Sequence, residues 1–441
     1  MPDTTRTYEV RCPVHGFIRF SDLERDVINH PVFQRLRRIR QLAWTDYTYP
    51  GAMHTRFEHS LGVMHVAGEL YDAVTARSHD LLRSYYGPDD EWHERDRVIV
   101  RLAALLHDIG HAPFSHAGED LFPVNPAMPP NSVTGKPARF KHEFYSVALI
   151  RSRLAEAIDG SEHNRSEVKA ADVADLLDSS VSSRTPAAGR RLLWREMIAG
   201  QMDADRMDYL LRDSLHTGVD YGRFDWRRLL NTVQAVERPS GEGNNGRLGL
   251  RIGISRGGVH AAEALVLARY FMFTQVYFHK TRVAYDCHFR HALKAMLPEG
   301  TFPQPDDAGL LDYLRWDDWR VLGLLAEGNG GDHGRRLRDR NHYREVYHTP
   351  DAPTPADLDH LCRTRDTLGE LVVAEVPSSI AAYKLAADAD IAVETEDERR
   401  VVRPLSYYSA VVQQLSKVPL AITRLYAAAE ARRRVAQLEL P

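Results

Sequence analysis

Cysteine is scarce in this chain. Cys12, Cys287 and Cys362 are the only three among 441 residues, too few and too scattered for a disulfide framework or a thiolate zinc site. No apolar run approaches the about 18 residues that a membrane-crossing helix needs, and mean hydropathy is −0.41. The opening MPDTTRTYEVRCPVHG lacks an apolar signal-peptide core, so a cytoplasmic chain is expected. A basic excess is also missing. The 57 Lys and Arg against 61 Asp and Glu leave a net charge of −4, which counts against non-specific coating of nucleic acid. Lysine is rare and arginine abundant, and arginine's planar fork can still clamp phosphate locally. The remaining composition, 43% hydrophobic and 27% charged, is that of an ordinary globular protein. At about 150 residues per domain, the length implies two or three packed units.

The spacing of apolar residues is mostly helical. A strand–turn–strand opening around Tyr8–Arg11 and Pro13–Gly16 gives way to helical periodicity from Ser21. A helix is expected from Arg56 to Arg77, and a strongly apolar one, VIVRLAALLHD, is stopped soon after Asp108 by Gly110 and Pro113. A Pro/Asn/Gly-rich loop spans Phe122 to Lys141, long enough to be a lid. Further helices are expected at Glu143–Leu154, Val168–Leu177, Arg190–Arg212, Val259–Phe278 and His279–Leu297, with a hairpin near 236–255. Glycines mark a flexible joint at 328–340. Beyond it, LGELVVAEV, DIAVETEDERRVVRPL and KVPLAITRLYA suggest short strands, and the last residues a helix. The expected fold is mainly α, with a helical core at 1–327 and a smaller α+β C-terminal module at 341–441.

The strongest chemical signal is LAALLHDIGHAPFSH, residues 102–116. A His-Asp pair at the end of a buried helix can turn both side chains into one cavity and bind one divalent metal through nitrogen and oxygen. The chain carries its own control, because His79-Asp80 is the same dipeptide in a polar stretch with no such helix before it. Two ligands do not hold a metal tightly, so partners must come from elsewhere. Upstream, HTRFEHSLGVMH offers His54, His59 and His65. Downstream, QMDADRMDYLLRDSLHTG offers Asp203, Asp205, Asp208 and Asp213. On one helix, Asp205, Tyr209, Arg212 and Asp213 share a face, whereas Asp203 points away from Asp205.

Spread as His59, His107-Asp108 and Asp205, this set resembles the metal-binding residues of the HD phosphohydrolase superfamily. The words around it, PVHGFIRFSDLERDVINHPVFQRLRRIRQLAWTDYTYPGAMHTRFEHSLGV, LLHDIGHAPFSH, KHEFYS and DADRMDYLLRDSLHTG, resemble the dNTP triphosphohydrolases of that superfamily from about Tyr8 to Leu297. The resemblance implies an HD-domain helical core, a divalent metal on His59, His107, Asp108 and Asp205, and hydrolysis of dNTPs to deoxynucleoside and triphosphate. Manganese, iron, nickel or cobalt suits such ligands, with magnesium assisting at the phosphates. It places His111, His116, Glu119 and His142 as catalytic residues: His116 as leaving-group acid, His111 and His142 on phosphate, and Glu119 orienting a histidine. Arg56 and Arg206 fall on the phosphates, while Gln41, Tyr209 and Asp213 fall on the sugar and Leu42 crowds its 2′ position. Tyr277, His279, Lys280 and Arg282 fall near the pocket or a subunit interface.

The family also implies a homo-oligomer, dimer or tetramer, and a nucleotide effector at a subunit interface. Here the chain departs from its relatives. The Asp-Pro-Ile-His-Gly segment reads Cys12-Pro13-Val14-His15-Gly16, and Asn29 stands where a guanine-reading acid appears in the vertebrate branch, although Arg37 is kept. This counts against a guanine-specific effector. The alternatives to a dNTP triphosphohydrolase are an HD nucleotidase or phosphodiesterase acting on another phosphorylated nucleotide, and a nucleotide-sensing protein without turnover.

Overall fold

A computed structural model describes residues 7–87, 91–130, 135–178, 186–237, 249–380, 390–395, 400–417 and 419–438. The fold is mainly α, as expected, with small sheets. Strands β1 (Tyr8–Cys12) and β2 (Gly16–Phe20) form an antiparallel hairpin whose register runs from Tyr8↔Phe20 to Cys12↔Gly16. Helix α1 (Arg56–Arg77) forms as expected and is buried along most of its length. Leu61, Val63, Met64, Val66, Ala67 and Leu70 are all buried on it. A helix apolar on nearly every side must be enclosed. Helix α2 (Glu91–Leu106) packs against it and ends at the His107-Asp108 pair. Helix α3 (His142–Ser152) is the next to bear on the site.

The helix expected from Arg190 to Arg212 is two helices, Pro186–Ala199 and α4 (Ala204–Thr217). The reason is Asp203. It adopts extended backbone, and its side chain accepts from the Arg206 N–H at 2.8 Å, so it starts a new helix instead of continuing the old one. The helix expected over Val259–Phe278 runs as α5 (Val259–Met272), followed by a π-helical turn at Phe273–Tyr277. Such a turn inserts an extra residue and re-aims the side chains that follow. Helix α6 (Lys280–Met296) comes next.

The hairpin expected near 236–255 is β3 (Val233–Glu237) with β4 (Leu250–Ser255), paired from Val233↔Ile254 to Glu237↔Leu250. Its tip lies outside the described residues, as do parts of the polar stretches at 88–90 and 131–134. Residues 328–340, expected as a flexible joint, contain helix α7 (Gly331–Arg338) packed on α6. Gly330 has φ +83, and a Cβ there would stand 2.7 Å from Met296. Gly330 therefore lets the chain pass close against α6, so at least this glycine of the linker-like stretch serves packing.

Two sheets occupy the C-terminal half. Strands β5 (Arg344–His348) and β6 (Val372–Ile380) flank β9 (Leu420–Ala427), both antiparallel to it. Strand β7 (Ala392–Glu394) runs parallel to β4 and antiparallel to β8 (Val402–Pro404), so the tail extends the hairpin sheet of the core. The last expected helix is short, Arg432–Val435. Among the described residues no helix is long and apolar enough to cross a membrane.

Candidate active site

Three segments bring the metal-type ligands together. His59 stands in the first turn of α1, His107 and Asp108 follow α2, and Asp205 lies in the first turn of α4. His59 Nε2 is 3.0 Å from Asp205 Oδ1 and 3.5 Å from Asp108 Oδ2. His107 Nε2 is 3.2 Å from Asp108 Oδ1 and 3.6 Å from Asp205 Oδ1. The opposite ring nitrogens are already engaged: His59 Nδ1 donates to Asp208 Oδ2 at 2.8 Å, and His107 Nδ1 to the Ala104 carbonyl at 2.8 Å. Both Nε2 atoms are buried and make no hydrogen bond. Two orphaned imidazole nitrogens facing two carboxylates are a donor set that fits a divalent transition metal. The carboxylates suit it too. Burial opposes their charge, but Arg56 and the neighbouring histidines hold Asp108 well below the ordinary range, and His107 and His59 do the same for Asp205.

Beside this cluster lies a second. Glu119 Oε1 is 2.8 Å from His142 Nδ1, 3.0 Å from His116 Nδ1 and 3.3 Å from His111 Nδ1. The rings of His111 and His142 stack at 3.7 Å. Two imidazoles that close cannot both carry charge at low cost. Burial, Arg56 and His142 push His111 far down, whereas Glu119 and Glu143 overcome burial at His142 and raise it to about 9. At neutral pH the pair is thus one neutral ring on one cation. His116 is the exposed member, its side chain 62% accessible.

Backbone geometry sets this arrangement. A Cβ at Gly110 would lie 2.2 Å from the His142 carbonyl oxygen, so only glycine lets α3 approach closely enough to place His142 on His111. Gly110 N–H donates to Ser146 Oγ at 3.0 Å, and Ser146 Oγ donates to the His107 carbonyl at 2.7 Å. Before His116, Phe114 and Ser115 both have positive φ, 55° and 57°. Consecutive left-handed non-glycine residues store strain, about 1–3 kcal/mol each. Surrounding contacts hold the turn. Asp318 accepts from Phe114 N–H at 2.7 Å and from Arg40 N–H at 2.8 Å, and the Phe114 ring stacks on Trp44 at 4.4 Å. Ser115 Oγ accepts from Arg56 Nε at 2.8 Å, while Arg56 also bonds Asp108.

Both clusters open into a single cavity of about 630 Å³, within the range usual for small-molecule sites. Gln41, Leu42, Arg206, Tyr209 and Asp213 line it as well. Asp213 accepts from Tyr277 at 2.7 Å and from His54 Nε2 at 2.7 Å, and Gln41 Oε1 is buried without a partner. The residues singled out from sequence as catalytic, substrate-binding or metal-binding line this cavity, except His59 and Glu119, which contact the lining residues Asp205 and His142. Of the four residues placed near a pocket or interface, Tyr277 and Arg282 line the cavity, and His279 caps α6, accepting from Thr281 N–H at 3.3 Å.

Asp203 is the correction. Expected to point away, it is buried and lines the cavity, and burial beside Asp205 raises it to about 7 against the pull of Arg206. The helix-face argument failed because Asp203 precedes the helix. As an N-cap it should matter to stability more than to metal: Asp203→Ala should cost about 0.5–2 kcal/mol, read as a lower melting temperature, while metal content stays at the parent level. Loss of metal would make it a ligand. The sequence offered His54 only as a candidate ligand, not as the partner of Asp213, and Ser115, Asp318 and the apolar wall of Leu176, Ile198 and Phe273 went unseen. The doublet of a buried histidine with Asp213 left no pattern within either segment, since its members are 159 residues apart.

Residues 56–213 match the HD domain and residues 224–439 the HD associated region. The chain thus carries an HD domain followed by an HD associated region. It is 34% identical over 273 residues to uncharacterised protein YwfO of Bacillus subtilis, covering 60% of this chain and 51% of that protein. It is 34% identical over 248 residues to deoxynucleoside triphosphate triphosphohydrolase SAMHD1 of Xenopus laevis, covering 51% of this chain and 36% of the relative. The chain thus spans about half the length of the first of these relatives and about a third of the second. Among solved structures, a hypothetical protein from Aquifex aeolicus superposes with a TM-score of 0.73 at 25% identity, covering 98% of this chain and 99% of that one.

Proposed function

We propose that this protein is a metal-dependent dNTP triphosphohydrolase that cleaves the bond between the α-phosphorus and the 5′-oxygen. The observation that carries the reading is the pair of orphaned nitrogens, His59 Nε2 and His107 Nε2, facing Asp108 and Asp205 in a cavity whose next wall is the His111–His116–Glu119–His142 cluster. The similarity to proteins named deoxynucleoside triphosphate triphosphohydrolases supports the choice of substrate.

His59, His107, Asp108 and Asp205 would hold a divalent metal, which when bound would lower the pKa of water and polarise an α-phosphate oxygen. His111 and the cationic His142 bind the phosphates, and Arg56 and Arg206 add charge there. Glu119 accepts from His116 Nδ1 and turns Nε2 to the leaving 5′-oxygen, which departs as a hydroxyl once His116 gives it a proton. The oxygen of the attacking water would end on the α-phosphorus, and the products would be deoxynucleoside and triphosphate. Tyr277 and His54 fix Asp213, so its carboxylate meets the 3′-hydroxyl in one orientation, with Gln41 and Tyr209 alongside.

Leu42 excludes a 2′-hydroxyl. Leu42→Ala should therefore raise kcat/KM for GTP relative to dGTP by about tenfold, within the few kcal/mol that pocket shape contributes. An unchanged ratio would remove Leu42 from sugar selection. The reading as a whole is tested by stripping metal, reloading with Mn2+, and assaying each dNTP and GTP, singly and mixed. Deoxynucleoside released only after reloading supports it. Activity confined to the mixture would add a nucleotide effector at a subunit interface, and activity untouched by chelation would refute the reading.

A further inference from the structure

We infer that Asp208 is the positioning residue of the metal centre and that the N-terminal hairpin holds it, through His15, so that the hairpin tunes metal affinity. Asp208 is fully buried and has no exposed face toward the cavity. Its carboxylate has four acceptor sites, and four donors reach it. Oδ1 accepts from His15 Nε2 at 2.6 Å and from an Arg212 terminal nitrogen at 2.8 Å; Oδ2 accepts from His59 Nδ1 at 2.8 Å and from Arg212 Nε at 2.8 Å.

The consequence for His59 is a fixed tautomer. A carboxylate that only accepts requires the proton on Nδ1, which leaves the Nε2 lone pair pointing into the ligand cluster. Arg212 grips both oxygens as a fork, Nε on Oδ2 and a terminal nitrogen on Oδ1. His15 adds a further donor on Oδ1 from the hairpin turn, and the rings of His65 and Trp226, with centroids 5.3 and 5.6 Å from its own, wall it in. A separate observation shows that the space is reserved. Gly62 lies one turn after His59 on α1, and a Cβ there would stand 1.9 Å from Asp208 Oδ1 and 2.5 Å from an Arg212 nitrogen. Any side chain at 62 would displace the clamp.

The inference rests on the metal-site part of the proposed function alone. It is tested by titrating Mn2+ into metal-free full-length protein by calorimetry, without nucleotide, for the parent, His15→Leu, His15→Gln and Gly62→Ala, with melting of each metal-free protein alongside. Glutamine keeps a donor where Nε2 stands; leucine does not. His15→Leu and Gly62→Ala should weaken Mn2+ about 10–100-fold, the usual effect of losing such a partner, and His15→Gln should bind close to the parent. Parent-like affinity in a folded His15→Leu overturns the inference, as does equal weakening by leucine and glutamine. Should His15→Leu not fold, Gly62→Ala against His15→Gln decides by the same titration. A protein that binds Mn2+ as described yet leaves dNTPs intact refutes the substrate and spares this inference.

Discussion

Asp205→Ala should yield a folded protein that neither keeps its metal nor turns over. The carboxylate lies 3.0 and 3.6 Å from the two orphaned nitrogens, and it supplies one of only two negative charges in the ligand set. Its loss leaves two imidazoles and Asp108, whose charge is already shared with Arg56. A metal acting on phosphoryl oxygen contributes several kcal/mol, so turnover should fall at least about a thousandfold. The cost in stability should be small, since a first-turn acid is worth about 0.3–1 kcal/mol. Metal content by mass spectrometry and kcat, measured on the same preparation, check this. Full metal content with lost turnover would move Asp205 from ligand to some other role.

His116→Ala should separate the two functions the other way. Its ring sits outside the ligand cluster, tied to Glu119 at 3.0 Å and open to the cavity. Metal should remain at the parent level while kcat falls about 10²–10⁴-fold, the range general acid catalysis supplies. Glu119→Gln should give the same direction with a smaller loss, since the amide still meets the ring but cannot hold its Nδ1 proton as strongly. A His116→Ala protein that loses metal would make His116 a ligand and leave the 5′-oxygen without its acid.

Local pattern made part of the candidate site legible: His107-Asp108 ends an apolar helix, and Asp205, Tyr209 and Asp213 fall on one helical face. His59, a lone histidine on an apolar helix, stood out only through resemblance to the HD phosphohydrolases. Helix Arg56–Arg77 was equally plain from its buried residues. What stayed hidden depends on contacts between distant segments or on one residue's backbone. Asp203 looks like a helical acid until its extended conformation makes it a cap. The glycines at 328–331 read as a linker, yet Gly330 serves close packing against Lys280–Met296. The left-handed turn at Phe114 and Ser115 has no glycine to announce it, because Asp318, 204 residues away from Phe114, holds it. Asp208 stood in view as one of four acids, but nothing in its own segment distinguishes a residue behind the metal from one beside it.

The most direct test of the account is hydrolysis of each dNTP by Mn2+-loaded protein in ¹⁸O-labelled water, with products separated and weighed by mass spectrometry. Attack on the α-phosphorus predicts one ¹⁸O in inorganic triphosphate and an unlabelled deoxynucleoside. Label in orthophosphate, a nucleoside mono- or diphosphate among the products, or ¹⁸O on the deoxynucleoside would contradict it.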